Sequence, residues 1–309
     1  MTEDPAPPGR SPCPDDLAGL SGRVEGFEIF DTHVHFCAPE RFDYAWGARE
    51  PESLRLADAT DYRRATFGLP VGTIVAMEAV VRADQIEAEA AFFEEQSRID
   101  DRVRCMILGT AFETRADMRE LVERVSRSAR VRGLRLLSRY ARNPRFFLET
   151  GVAGLIGRFA DLGLICEIGV WPDELPNVAD LARRCPATTF VLNHAGKPDI
   201  AGGRYAPWAA DLAEFADLDN VVCKMSGLVT LAGAHAGACG TFDPYIRHVV
   251  RVFGADRVVF GSDWPMVEAK TSCAGWAAIV LSALADRPPS EIRSIMHDNA
   301  ARIYAGAPR

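Results

Sequence analysis

The chain alternates between short apolar runs rich in β-branched residues and longer stretches in which apolar residues recur with helical spacing. Eight of the short runs predict strands, and their nearly continuous hydrophobicity is typical of a parallel sheet covered by helices. The predicted strands cover 27–34, 71–78, 103–109, 131–137, 164–170, 187–193, 220–225 and 257–262. The predicted helices cover 82–100, 114–129, 145–162, 174–185, 207–217 and 242–253, and a final helical region covers about 272–305.

Eight strands with helices between them are the element count of a (β/α)₈ TIM barrel, an α/β fold that commonly forms one domain of about 250 residues. We therefore predict a single barrel domain over residues 23–309. An open doubly wound sheet is the alternative, but neither G-x-G-x-x-G nor G-x-x-x-x-G-K-[ST] follows any predicted strand. The longest excursion, 36–70, would be the first loop over the active-site end of the barrel.

Composition limits where the protein works and what it binds. Residues 1–22 are acidic and proline-rich, without the apolar region of a secretory signal, and we expect a flexible arm there. No two of the eight cysteines are closer than 16 residues, which excludes a C-x-x-C motif and favours a reducing cytoplasm. The net charge of −8 argues against nucleic acid or an anionic membrane as partner. No apolar run is long enough to span a membrane, so the expected partner is a small molecule; a homo-oligomer stays open.

Ionisable side chains follow the apolar runs of seven of the eight predicted strands. In a barrel these positions meet at one end, where the loops carry the catalytic groups. A shared pocket is therefore favoured over unrelated solvated loop edges. The residues are His33 and His35 (strand 1), Glu78 (strand 2), Arg135 (strand 4), Glu167 (strand 5), Asn193, His194 and Lys197 (strand 6), Lys224 and Ser226 (strand 7), and Ser262 and Asp263 (strand 8).

The first strand ends in an H-x-H motif. Residues two apart in a strand face the same side, so His33 and His35 are expected to converge, with Asp31 on the same side further down. Two neutral imidazoles side by side suit a divalent metal ion. The alternative is one hydrogen-bonded histidine beside a solvated one.

Five motifs in order carry a family resemblance: DTHVH on the first predicted strand, NHAGKPD on the sixth, CKMSGL on the seventh, FGSDWP on the eighth, and NAARIY near the end. Together they resemble the amidohydrolase superfamily over about residues 27–305. The closest resemblance is to its amidohydrolase-2 branch of TIM-barrel hydrolases, which includes sugar-lactone and muconolactone-type lactonases.

The resemblance implies roles for four residues. His33 and His35 match the first-strand metal pair, His194 matches a histidine that binds metal or polarises the substrate carbonyl, and Asp263 matches the aspartate that activates water. Such a carboxylate can accept the proton of the attacking water while the carbonyl is polarised from the other side.

The chain departs from many members of the superfamily, because it has no lysine after strand 4 and no histidine at the end of strand 5. A binuclear centre is therefore not expected. One Zn²⁺ or Mn²⁺ held by His33, His35 and Asp263, with His194 as a further candidate ligand, is one implication. A site that works without metal is the other.

Arg135 and Lys224 are the candidates for holding an anionic group on a substrate. The alternative is that each forms a salt bridge, with Glu78 or Glu167, inside the barrel mouth, which would make these carboxylates part of the binding wall.

Three tryptophans on predicted loops at the same end, Trp46, Trp171 and Trp264, are candidates for a wall that stacks on a substrate ring, with ordinary packing as the alternative. His235, His248 and His297 have no partner pattern and are interpreted as structural or solvated.

The leading functional hypothesis is a hydrolase that opens the ring of a small polar or carboxylated lactone, with Asp263 as general base. A metal-dependent non-oxidative decarboxylase of an aromatic acid would use a similar barrel, but the missing fifth-strand histidine counts against it. A catalytically inactive barrel that binds a small molecule is the third hypothesis, and the intact set of motifs argues against it.

Overall fold

A computed structural model of the chain describes residues 24, 26–47, 54–110, 115–125, 128–138, 150–233 and 240–305. The predicted arm over 1–22 lies outside these residues. The strands are β1 (Ile29–His35), β2 (Val71–Met77), β3 (Val103–Gly109), β4 (Val131–Leu137), β5 (Ile165–Gly169), β6 (Phe190–Leu192), β7 (Val221–Met225) and β8 (Val258–Phe260). The α-helices are α1 (Ala59–Ala65), α2 (Ile86–Ile99), α3 (Arg115–Val125), α4 (Thr150–Asp161), α5 (Leu175–Arg184), α6 (Tyr205–Leu212), α7 (Leu228–Leu231), α8 (Asp243–Phe253), α9 (Cys273–Ala283) and α10 (Pro289–Arg293).

The eight strands form one parallel sheet in chain order, and hydrogen bonds between its two ends bring it round into a barrel. The Thr32 hydroxyl donates to the Phe260 carbonyl at 2.7 Å, joining β1 to β8. Further along, the amide of His35 donates to the carbonyl of Trp264 at 2.8 Å. The predicted TIM barrel is confirmed, and the active-site strands β8 and β1 are direct neighbours.

Side chains that alternate along the strands form two separate apolar cores. One fills the barrel interior and is closed at the bottom by Ala300 and Tyr304 from the C-terminal helical turns. The other, larger core lies between the strands and the surrounding helices. Each strand is therefore buried on both faces, which explains the nearly continuous apolar runs of the sequence. The interior core is formed by Phe30, Val75, Met77, Cys105, Ile107, Ile165, Val191, Val222, Val259, Ala300 and Tyr304.

Several predicted boundaries differ from the observed ones. The excursion over 36–70 contains α1, whose first turn is closed by a capping box between Asp58 and Asp61. The final helical region is not continuous, because Pro288 and Pro289 start a new helix after α9 has ended. Within the part of the chain that the structure describes, no helix is both long and apolar enough to cross a membrane.

Candidate active site

Three side chains from β1 and the turn after β8 meet at the open end of the barrel. Nε2 of His33 lies 3.1 Å from Nε2 of His35. Oδ1 of Asp263 lies 3.5 Å from the first of these nitrogens and 3.6 Å from the second. All three residues are buried. The structure thus brings together the H-x-H pair and the aspartate that the sequence assigned to one site.

The second ring nitrogen of each histidine has a partner of its own. Nδ1 of His35 lies 3.2 Å from the Met77 carbonyl and donates to it, because a carbonyl only accepts. Nδ1 of His33 lies 3.3 Å from Nζ of Lys224, and an ammonium only donates. Neutral His33 therefore carries its proton on Nε2, where it can donate to Nε2 of His35. These contacts fix both imidazole rings and direct their Nε2 atoms toward Asp263.

The donor atoms of this group also fit one divalent ion. The separations of 3.1, 3.5 and 3.6 Å define a triangle whose corners all lie about 2 Å from a common centre. This radius is close to ordinary zinc–nitrogen and zinc–oxygen distances, and three protein ligands leave a position open, as in catalytic zinc sites. A metal ion can bind here only after Nε2 of His33 has lost its proton.

His194 lies beside the group, with its ring centre 4.7 Å from that of His33. Nδ1 of His194 is 2.9 Å from the Ser226 hydroxyl, and Nε2 is 3.4 Å from Nη2 of Arg135. Because arginine can only donate, Nε2 accepts and Nδ1 donates to Ser226. Burial lowers the pKa of His194 to about 3, so the ring is neutral at physiological pH. His194 is not one of the three residues whose ligand atoms lie together in the described part of the chain.

The charge state of Asp263 follows from its neighbours. Burial by itself raises the pKa of this carboxyl, but His194, His35 and Arg135 outweigh that effect and hold the pKa below its ordinary value. Asp263 is therefore a carboxylate near neutral pH, although only 5% of its surface is exposed. A buried carboxylate that its neighbours keep ionised can accept a proton from water.

Arg135 is held on the pocket wall by three contacts. Its Nη1 donates to Glu78 at 3.0 Å, its Nε donates to Oδ1 of Asn193 at 2.7 Å, and its Nη2 approaches His194. The salt bridge that the sequence offered as an alternative is thus formed. Arg135 also lines the pocket described below, so a direct contact with substrate stays a prediction.

Lys224 and Glu167 lie deeper, inside the barrel and without solvent exposure. Nζ of Lys224 donates to both carboxylate oxygens of Glu167, at 2.8 and 2.7 Å, and to the Thr32 carbonyl at 2.8 Å. Tyr304 donates to the same carboxylate at 2.6 Å. Neither charged residue lines the pocket, so their arrangement supports His33 from below and does not place them against a substrate.

Asp31 does not lie on the same side as the histidines, contrary to the alternation expected of a regular strand. Its carboxylate accepts from the Tyr62 hydroxyl at 2.7 Å and from the backbone amide of Ser262 at 2.8 Å. The register of β1 against β2 shifts between Asp31 and Val34, and this irregularity reverses the alternation. Asp31 therefore ties β1 to the turn after β8 from the outer face.

The pocket above these groups has a volume of about 190 Å³, and its wall includes His35, Arg135, His194 and Asp263. Trp46 and Trp171 both lie on this wall, as the sequence suggested. Trp264 does not, because it is 1% exposed and packs edge-on against Tyr62. Here the alternative of ordinary packing is correct.

Lys197 lies on the pocket wall, as the strand-end pattern predicted, although no role was assigned to it. Ser138 also lies on this wall and was not among the sequence-based site candidates. Ser138 follows the apolar run of β4 directly, so its position after a strand was the available signal.

Backbone strain is concentrated around the pocket. Among the described non-glycine residues, five have positive φ angles between 51° and 62°. Such conformations are uncommon outside glycine and persist where surrounding contacts hold them. All five follow β2, β6 or β8 at the open end of the barrel: Val80, His194, Ala195, Lys197 and Asp263.

A glycine beside His194 provides a test of how closely this site is packed. A Cβ atom on Gly227, whose φ is 66°, would lie 2.4 Å from Nδ1 of His194. We expect Gly227→Ala to displace the imidazole and to lower kcat/KM by about 100-fold, since misplacements of about 1 Å have effects of this size.

Gly203→Ala is the matched control, because Gly203 has the same φ of 66° and no heavy atom near its Cβ position. It reports the cost of the left-handed backbone alone, about 1–2 kcal/mol. Equal activities of the two variants, measured on purified folded protein, would contradict the packing argument.

Among the other described histidines and cysteines, only Cys37 lines the pocket. His248 donates to the Ala209 carbonyl and His297 to the Glu28 carbonyl, while His235 lies outside the described residues. All six cysteines within the described ranges are free and buried.

Fold and site together define a TIM-barrel hydrolase with an H-x-H pair on its first strand and an aspartate after its eighth. The chain belongs to the amidohydrolase family, whose sequence model matches residues 30–306.

Known relatives extend the comparison. The chain is 31% identical over 303 residues to L-fucono-1,5-lactonase from Burkholderia multivorans, a match that covers 89% of this chain and 95% of the relative. A shorter match to L-fucono-1,5-lactonase from Burkholderia ambifaria is 45% identical over 97 residues, covering 31% of this chain and 33% of the relative. Among solved structures, an amidohydrolase from Burkholderia multivorans with bound zinc is 28% identical, with a TM-score of 0.78, covering 91% of this chain and all of that one.

Proposed function

We propose that this protein is a lactonase that hydrolyses the ring ester of a hydroxylated sugar-acid lactone, with Asp263 as general base. The observation that carries the proposal is the buried Asp263 carboxylate on the wall of a small pocket, 3.5 and 3.6 Å from Nε2 of His33 and of His35. The names of the two curated relatives support the lactone as substrate class.

In this proposal Asp263 accepts a proton from the attacking water. Its pKa is held low, so it is ready in the basic form at neutral pH. The proton then passes to the ring oxygen that leaves as an alcohol, so that the hydrolysis consumes one water and releases a hydroxy acid. A positioned general base contributes a rate factor of about 10²–10⁴.

Arg135 is the side chain best placed to stabilise the oxyanion that forms on the lactone carbonyl. Its guanidinium lies on the pocket wall and is fixed by Glu78 and Asn193, so its remaining N–H groups keep their direction. Fixed donors that face a developing negative charge stabilise the transition state without reorganising. His194 accepts from Arg135 and donates to Ser226, and we assign it the role of holding Arg135 and the substrate in position.

We further propose that His33, His35 and Asp263 hold one divalent ion, Zn²⁺ or Mn²⁺. When bound, such an ion supplies Lewis acidity to water or to the carbonyl oxygen. Without an ion, the same residues form a hydrogen-bonded group around Asp263, and the lactone, an activated ester, would depend on Arg135 for polarisation.

The proposed metal site is tested separately, by measuring the metal content of the protein. Elemental analysis of the purified protein is expected to find about one zinc or manganese per chain, and His35→Ala is expected to lose it, because this substitution removes one of three ligands. The matched control, His297→Ala, removes a histidine that does not line the pocket. Metal retained at full stoichiometry in His35→Ala would contradict the assigned ligand set.

The function itself is tested with a panel of lactones and aromatic acids. We expect acid release from hexono-1,5-lactones and no carbon dioxide from aromatic acids. Carbon dioxide release without hydrolysis of any lactone would favour the decarboxylase hypothesis and overturn the proposal.

A further inference from the structure

Two neighbouring side chains, Trp171 and Lys197, line the small pocket and also two larger cavities outside it, of about 740 and 820 Å³. The larger of these cavities also reaches His194 and Asp263. The reacting groups therefore face two spaces, an inner pocket of about 190 Å³ and an outer cavity of about 820 Å³, and the Trp171–Lys197 pair lines both of them.

The pair is held in place from both sides. Nζ of Lys197 lies 5.2 Å from the centre of the Trp171 ring, a cation–π contact. The backbone amide of Trp171 donates to Glu174 at 2.8 Å, and the Ser138 hydroxyl donates to the same carboxylate oxygen at 2.6 Å. Lys197 follows the strained turn after β6, where its amide donates to the His194 carbonyl at 2.8 Å. These contacts fix the backbone of both residues, and the cation–π contact joins their side chains, although Trp171 is 38% exposed.

The two spaces differ in what they can accept. The inner pocket is smaller than the roughly 300–1,000 Å³ typical of drug-sized ligands, and the outer cavity of about 820 Å³ falls within that range. The outer cavity combines the Trp171 ring with hydrogen-bonding side chains, among them Arg55, Thr230, Glu268 and Lys270. An aromatic face surrounded by polar groups suits a second hydroxylated ring.

We infer, on the basis of the proposed lactonase function, that the Trp171–Lys197 pair is a partition that restricts the substrate to lactones with a single sugar ring. The inner pocket takes the lactone ring, and the partition closes the route by which a glycosyl substituent would extend into the outer cavity. Removal of the indole joins the two spaces and admits a glycosylated aldonolactone, with the second ring in the outer cavity.

The test compares two substrates, a hexono-1,5-lactone and the same lactone carrying a glycosyl group. For Trp171→Ala we expect the ratio of kcat/KM, glycosylated over single-ring, to rise at least tenfold, mainly through a lower KM for the larger substrate. Trp171→Phe keeps an aromatic ring at the partition and is expected to keep the wild-type ratio. Trp46→Ala is the matched control, because Trp46 lines the inner pocket and neither outer cavity.

The control is expected to lower kcat/KM for both substrates by the same factor, so that the ratio stays at its wild-type value. A ratio in Trp171→Ala within twofold of the wild-type value, for protein with a native near-ultraviolet spectrum, overturns the partition. So does a wild-type enzyme that already hydrolyses both substrates equally well.

A failure of the proposed lactonase function gives a different result from a failure of the partition. If the wild type opens neither lactone, the proposed function fails, and the partition is then judged by calorimetric binding of the two corresponding acids. Binding of the glycosylated acid to Trp171→Ala but not to the wild type supports the partition. Equal binding of that acid to both proteins, or to neither, overturns it.

Discussion

Asp263→Asn is expected to lower kcat for lactone hydrolysis on the order of 10³-fold, the middle of the range for loss of a positioned general base. The amide is nearly isosteric with the carboxylate but cannot accept the proton of the attacking water. The two imidazoles keep their contacts with Met77 and Lys224, so the pocket is expected to keep its shape. Initial rates of acid release measure the loss of kcat, and a thermal melt of the same preparation shows whether the fold is kept.

The control for this substitution is Asp286→Asn, which removes an exposed carboxylate paired with Arg247 outside the pocket. We expect it to leave kcat unchanged. Hydrolysis by Asp263→Asn at more than a tenth of the wild-type kcat would show that another group acts as base.

Lys224→Met is expected to lower the free energy of unfolding by about 3–5 kcal/mol, the range for removal of one partner from a buried ion pair. Lys224 and Glu167 are both without solvent exposure, and their closest contact is 2.7 Å. Burial lowers the pKa of Lys224 to about 8 against the opposing effect of Glu167, so the ammonium form predominates at neutral pH. Loss of this cation leaves the Glu167 carboxylate inside the barrel with only Tyr304 and Asn193 as donors.

Urea unfolding of a double-mutant cycle measures this effect. Lys224→Met combined with Glu167→Met removes both charges and is expected to recover part of the lost stability. Arg183→Met, which breaks an exposed ion pair with Glu214, is expected to cost less than about 1 kcal/mol. A Lys224→Met protein as stable as the Arg183→Met protein would contradict the supporting role that we give to the buried pair.

The sequence predicted the barrel well where burial alone determines the pattern. The observed bounds of β3 (Val103–Gly109) and β4 (Val131–Leu137) match the predicted ones, because both strands are covered on both faces and end where polar residues begin. β6 (Phe190–Leu192) and β8 (Val258–Phe260) are shorter than predicted. The residues that follow them turn into strained conformations that hydrophobic periodicity does not encode.

The sequence predicted which residues belong to the candidate site better than it predicted how deep in the barrel each of them lies. Order along the chain places His33, His35 and Asp263 at one end of a barrel, but it carries no information on which charged residues reach the pocket. Arg135 lies on the pocket wall, whereas Lys224, one barrel layer deeper, supports His33. The predicted position of Asp31 was wrong, because the register irregularity between Asp31 and Val34 in β1 reverses the alternation of faces.

A single-turnover reaction in ¹⁸O-enriched water, with enzyme in excess over a hexono-1,5-lactone, tests the proposed water attack most directly. If Asp263 acts as general base, the product acid gains one ¹⁸O in its carboxylate during the first turnover, and the peptide that contains Asp263 stays unlabelled. Unlabelled first-turnover acid would mean that an enzyme oxygen attacks the carbonyl, and ¹⁸O in the peptide that contains Asp263 after the same turnover would identify that oxygen. Either this result or the absence of any ring opening above the buffer rate would contradict the account.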